Sequence, residues 1–126
     1  MDTIEHFEAD KDCGFFRPVG KVSFEEAARL VTRAITFARQ QQVPKLLVNV
    51  TGLTGFPSPT LAQRYFAVRE WAAASKGFLR IAMVIRTEMI DPEKFGVIAG
   101  RNAGLRGDVF LAEPEALAWL LSDSRD

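Results

Sequence analysis

The pattern of apolar and polar positions divides the chain into short strands and longer helices. Residues 3–9 and 14–19 read as two short strands. Between them, Asp10-Lys11-Asp12-Cys13-Gly14 is rich in turn formers and holds a glycine able to take positive φ, so a hairpin is expected. From Phe24 the spacing becomes helical. Phe24, Ala27, Ala28, Val31, Ala34, Ile35 and Ala38 form one stripe of a helix running to about Gln42. Ser23 followed by Glu26 is a capping box. Glu25 and Glu26 sit at the positive end of this helix and Arg39 near its negative end. Pro44 stops it.

Residues 45–51 (KLLVNVT) form a strand whose one oddity is Asn49, an amide in a mostly apolar run. After a loop over 51–57, Ser58-Pro59 supplies a cap and a first helical position for a second helix. It ends near Lys76, with Gly77 placed for a left-handed cap. Leu61, Tyr65, Val68 and Ala72 share one stripe of it. Residues 78–86 are almost continuously apolar, as in a strand covered on both faces. Asp91-Pro92 caps a third helix ending by Gly104, and 108–111 is a short strand. Glu113-Pro114 opens a last helix with Leu117, Leu120 and Leu121 as its apolar face, and 122–126 should fray. Strands alternating with helices predict an α/β fold. The expected architecture is a mixed, mostly parallel β-sheet covered by α-helices, with right-handed crossovers and an N-terminal β-hairpin.

Composition narrows the chemistry. A chain of 126 residues suits one domain over 1–126. One cysteine, Cys13, and one histidine, His6, exclude a disulfide framework and a Cys- or His-cluster metal site. Neither a catalytic constellation nor a cofactor motif is recognisable, so a non-enzymatic protein without cofactor or metal is expected. The acidic start and the lack of a membrane-length apolar run make the cytoplasm the expected location.

Open parallel sheets bind ligands beyond the carboxyl ends of their strands. The loops leaving that edge place Thr51, Thr54, Phe56, Ser58, Thr60, Arg86 and Thr87 as candidates for a ligand or partner. Glu88, Asp91 and Glu113 add carboxylates there, with solvated loop residues as the ordinary alternative. Phe66 and Trp71 flank the second helix's stripe. They either fold under neighbouring helices or form a protein interface, in which case a homodimer is expected. Gly96, Gly100 and Gly104 recur every fourth residue. They mark either close backbone packing or an early helix end. His6 and Cys13 would have to meet across the hairpin to act as a base and nucleophile. Asn49-Val50-Thr51 and Arg106-Gly107-Asp108 match a glycosylation sequon and an RGD string, which a buried strand and a turn explain.

The balanced charge of 16 basic and 16 acidic residues hides an asymmetry. Residues 1–26 hold three basic and seven acidic side chains, 27–86 nine and one, and 87–126 four and eight. Either the segments neutralise one another in the fold, or Arg29, Arg33, Arg39, Arg64 and Arg69 form a basic face for an anionic partner. The acidic segments oppose phosphate-backbone contacts, so no nucleic acid is expected.

Three strings, KLLVNVTGLTGF, RIAMVI and VFLAEPEALAWL, resemble the SpoIIAA-like branch of the STAS and Sec14-like families, and the likeness covers nearly the whole chain. It implies a SpoIIAA-like α/β fold and a regulatory or protein-interaction module with a protein partner. Antagonists in that family are switched by a phosphoserine in a D-S-S-G-type motif. Here Pro59 falls where that serine would be, so any phosphate would sit on Ser58 or Thr60. The Sec14-like cousins imply the alternative, a carrier of small apolar or lipid-like molecules.

Overall fold

The computed structural model describes residues 4–91 and 93–122. The chain forms β1 (Phe7–Asp10), β2 (Cys13–Phe16), β3 (Gly20–Lys21), α1 (Phe24–Gln40), β4 (Lys45–Asn49), β5 (Leu53–Thr54) and α2 (Leu61–Ser75). It continues through β6 (Arg80–Val84), a 3-10 turn (Thr87–Met89), α3 (Phe95–Asn102), β7 (Arg106–Phe110) and α4 (Glu113–Leu121). The main sheet has the order β1-β2-β4-β6-β7. β1 pairs antiparallel with β2, and every other pair in it is parallel. β3 and β5 form a separate two-stranded parallel pair. The fold is therefore α/β with a mixed, mostly parallel sheet.

Both faces of the sheet are covered, which explains the unbroken apolar runs of β4 and β6. Leu46, Val48 and Ile81 point to one face and pack with Val31, Ala34, Ile35 and Ala38 of α1. Leu47, Ala82 and Val84 point to the other and pack with Ala116 and Leu120 of α4. This alternation is the two-residue period of a strand. On α4, Leu120 is buried and Leu117 partly buried, whereas Leu121 is 56% exposed. It falls outside the apolar face expected for it.

Local signals set most boundaries. Ser23 Oγ accepts from the Glu26 amide and Glu26 Oε1 accepts from the Ser23 amide, both at 3.1 Å. That is the capping box of α1. In the hairpin the left-handed residue is Lys11, at φ 57°, rather than a glycine. Gly14 lies within β2, where a Cβ would meet the Phe7 ring at 2.8 Å. Its missing side chain makes room for that ring, which stacks edge-to-face on Phe37. Residue 3 of the expected first strand, Pro92 and the expected fraying at 123–126 lie outside the described residues.

Two expectations for α2 are corrected. Its cap is Thr60, not Ser58: Thr60 Oγ accepts from the Gln63 amide at 3.1 Å, and Gln63 Oε1 accepts from the Thr60 amide at 2.9 Å. A reciprocal box satisfies two orphan donors, and it displaces the start by two residues from Ser58. Its buried side keeps Val68 and Ala72 of the expected stripe but not Leu61 and Tyr65. Ala67, Val68, Ala72 and Ser75 face inward, and Leu61 and Tyr65 are exposed. The α2 start is thereby turned so that its bulk faces solvent and small residues face the sheet.

Candidate functional site

Small residues on facing elements leave a gap. Ala27 and Ala28 of α1, Ala67 of α2, Gly96 and Gly100 of α3 and Gly107 of β7 all line one cavity of about 150 Å³ between the sheet and the three helices. Its floor is Ile81, Met83 and Ile85. Its aromatic wall is Phe24, Phe56 and Trp71, with Phe24 and Phe56 edge-to-face at 6.0 Å. Val50 and Met89 close it from segments that leave the carboxyl ends of β4 and β6. The cavity therefore reaches the sheet edge where such folds place ligands.

Polar side chains enter its lining at four places. Arg64 Nη1 donates to the Met89 carbonyl and Nη2 to the Ser58 hydroxyl, both at 3.1 Å. Asp91 accepts from the amides of Glu93 at 3.1 Å and Phe95 at 2.7 Å, holding the entrance to α3. Lys94 Nζ lies 3.4 Å from Asp108 Oδ1. The glycine run divides accordingly. Gly100 allows close approach to Leu105 and Val68, Gly96 faces open space, and Gly104, at φ 94°, turns the chain after α3.

Of the loop candidates, Phe56 is the one that lines the cavity. The Thr51 hydroxyl donates to Asn49 Oδ1 at 2.7 Å, and Thr54 donates to the Gly20 carbonyl at 3.4 Å. Ser58 and Thr60 are engaged as described. Arg86 Nε lies 3.3 Å from Glu88 Oε2, and Thr87 opens the 3-10 turn. The flanking aromatics separate. Phe66 is 66% exposed, whereas Trp71 lies under α1, its indole N–H donating to the Ala28 carbonyl at 3.1 Å.

The arginines separate too. Arg29 and Arg33 are exposed on α1, and Arg69 donates to the Tyr65 hydroxyl and covers its ring. Arg39 is half-buried rather than solvent-facing, because its Nε donates to the Ala74 carbonyl at 2.8 Å. Arg39 and Arg64 thus serve the fold or the cavity, and the expected basic face narrows to Arg29, Arg33 and Arg69.

A polar network lies at the same sheet edge on the α4 side. Glu113 accepts two bonds from Arg17, at 2.8 and 3.0 Å, and one from Asn49 Nδ2 at 2.7 Å. Those two donors hold the Glu113 carboxyl below its ordinary range, and the same bond raises Arg17. Asn49 ties together three elements: β4, the loop through Thr51, and α4.

His6 and Cys13 are not brought together. Cys13 pairs with Asp10 at the turn end of the hairpin, and Phe7, next to His6, pairs with Phe16 at the other end. Cys13 packs into the α4 cluster, where burial pushes its thiol up and keeps it protonated. Among the described residues no three His, Cys, Asp or Glu side chains converge to hold a metal ion, and no helix is long and apolar enough to cross a membrane.

Sequence reasoning named the carboxyl edge of the sheet as the candidate region but missed the cavity that reaches it. The available signal was the set of small residues, Ala67, Gly96 and Gly100, at inward helix positions. No protein-family model matches the chain, and no curated protein matches its sequence.

Proposed function

We propose that this chain is a binding protein that carries a small apolar molecule between its sheet and α1–α3. The observation supporting this most directly is the apolar cavity of about 150 Å³ reaching the carboxyl edge of the sheet. An unfilled apolar gap of that volume costs packing energy, less than an enclosed cavity would because this one is open to solvent on one side. A ligand that restores those contacts would recover part of it. Native mass spectrometry of freshly purified protein tests the reading. A reproducible bound mass is expected, and Gly96→Leu, which places a side chain against open space in the cavity, should abolish it. Bare protein in every preparation, together with no thermal stabilisation by small apolar probes, would refute it.

A second reading, a regulatory or protein-interaction module, is supported by Phe66 and Leu61, exposed at 66% and 59% on α2. On this reading the outer face of α2 pairs with a second copy of the chain. Sedimentation should then show a dimer that Phe66→Ser shifts to monomer. A wild-type monomer at micromolar concentration would count against it.

A further inference from the structure

We propose that the occupant of the cavity is a small monocarboxylate with a ring-sized apolar body, and that Arg64 takes its carboxylate. This rests on the reading of the cavity as a ligand site. Arg64 is half-buried and lines the cavity from the first turns of α2. Its two acceptors, the Met89 carbonyl and the Ser58 hydroxyl, are both uncharged. A guanidinium carries five N–H donors in a planar fork, so donors remain beyond those two bonds. No carboxylate among the described residues pairs with it.

The position is also unfavourable for a cation. Helix N-termini favour negative charge. α1 opens with Glu25 and Glu26, and α4 with Glu113 and Glu115, whereas α2, like α3, has no acidic residue in its first turn, and it places Arg64 directly after that turn. Of the other charges at the cavity, Lys94 is paired within it by Asp108, and Asp91 is held by backbone amides at the start of α3 rather than by a cation. Arg64 is therefore the cation at the cavity that no carboxylate among the described residues pairs, and charge-assisted pairing of a fork with a carboxylate is the strong form of the contact a ligand would add.

Size sets the rest of the molecule. An apolar cavity of about 150 Å³ holds a benzene-sized body, and here Phe24, Phe56 and Trp71 provide ring surfaces for it. A long acyl chain would have to run out of the open side and leave part of its length in water.

Calorimetric titration of the full chain with benzoate, toluene and decanoate tests the proposal. Benzoate and toluene share a ring and differ in the carboxylate. Benzoate is expected to bind wild type about tenfold more tightly than toluene, the scale of one charge-assisted hydrogen bond. Arg64→Gln should lose that preference while still binding toluene, Arg64→Lys should keep part of it, and Gly96→Leu should weaken both ligands. Toluene binding as tightly as benzoate, or an unchanged preference in Arg64→Gln, overturns the carboxylate role and leaves the cavity reading standing. That result would make Arg64 a clasp between the Ser58 and Met89 loops and nothing more. Decanoate binding more tightly than benzoate overturns the size limit. No binding of either ring compound, or binding of both that ignores Gly96→Leu, removes the cavity reading and the proposal together. The wild-type comparison stands even if an Arg64 variant fails to fold.

Discussion

Glu113 shows how one side chain joins segments far apart in the chain. Its three hydrogen bonds bring Arg17, after β2, and Asn49, at the end of β4, to the start of α4. Glu113→Gln removes the charge and leaves one donor facing an amide nitrogen. A loss on the order of 1 kcal/mol is expected, kept modest because water reaches both Arg17 and Glu113. The sign with pH follows from the lowered folded-state pKa of Glu113. The stabilisation is complete above the unfolded value of about 4.3 and disappears as pH falls through the folded value. Thermal melts of wild type and variant should therefore converge on acidification. A gap that keeps its size into strong acid would show that the carboxylate charge is not what matters. Asn49 stood out in the sequence as an amide in an apolar strand, but its partner lies 64 residues away and no local pattern points to it. Thr60 tests a shorter-range bond. Thr60→Ala should cost about 1 kcal/mol in chemical denaturation through loss of the α2 cap. Ser58→Ala, which removes one acceptor from Arg64, should stay within about 0.5 kcal/mol. Equal losses would return the cap to Ser58.

At the scale of elements, α1 was legible because its signals agree. The capping box, the acidic first turn and the six buried residues all specify one helix in one orientation. α2 was not, because its signals compete. Ser58-Pro59 and Thr60–Gln63 both offer starts, and bulky residues occur around the helix, so sequence spacing cannot choose the inward side. Tertiary packing chooses the side with Ala67, Val68 and Ala72, which lets α1 and α3 approach and leaves the cavity. The glycines of α3 were legible as a set but not in their separate uses. Gly96 is helical with no atom near a built Cβ, so Gly96→Ala should stabilise by about 0.5 kcal/mol through the unfolded chain. Gly104 sits at φ 94°, a conformation that L side chains rarely adopt, so Gly104→Ala should destabilise by about 1 kcal/mol. Urea titrations giving both changes the same sign would contradict this division of roles.

Over the whole molecule, the charge asymmetry is partly resolved by the fold itself. Arg17 meets Glu113, Lys45 meets Asp12 and Arg86 meets Glu88, each pair joining a basic residue to an acidic one from another segment. The two sheet faces differ in how completely they are filled. On the α4 side Arg80, 5% exposed, lies 4.0 Å over the Trp119 ring, and the apolar cluster closes around Leu47 and Leu120. On the other side α3 contributes a single buried residue, Gly100, begins after a left-handed Lys94 and borders the cavity. Local stability follows buried apolar contact, so α3 should open at lower free energy than α1, whose six buried residues anchor the opposite wall. Such opening gives a ligand a route into the cavity without unfolding the sheet. Native-state hydrogen exchange measures this directly. Amides of α3 should exchange well before those of α1, β4 and β6, and a bound ring compound should slow α3 most. Exchange of α1 and α3 together, at the free energy of global unfolding, would mean that the helices open as one unit and that α3 opening gives the proposed ligand no separate route.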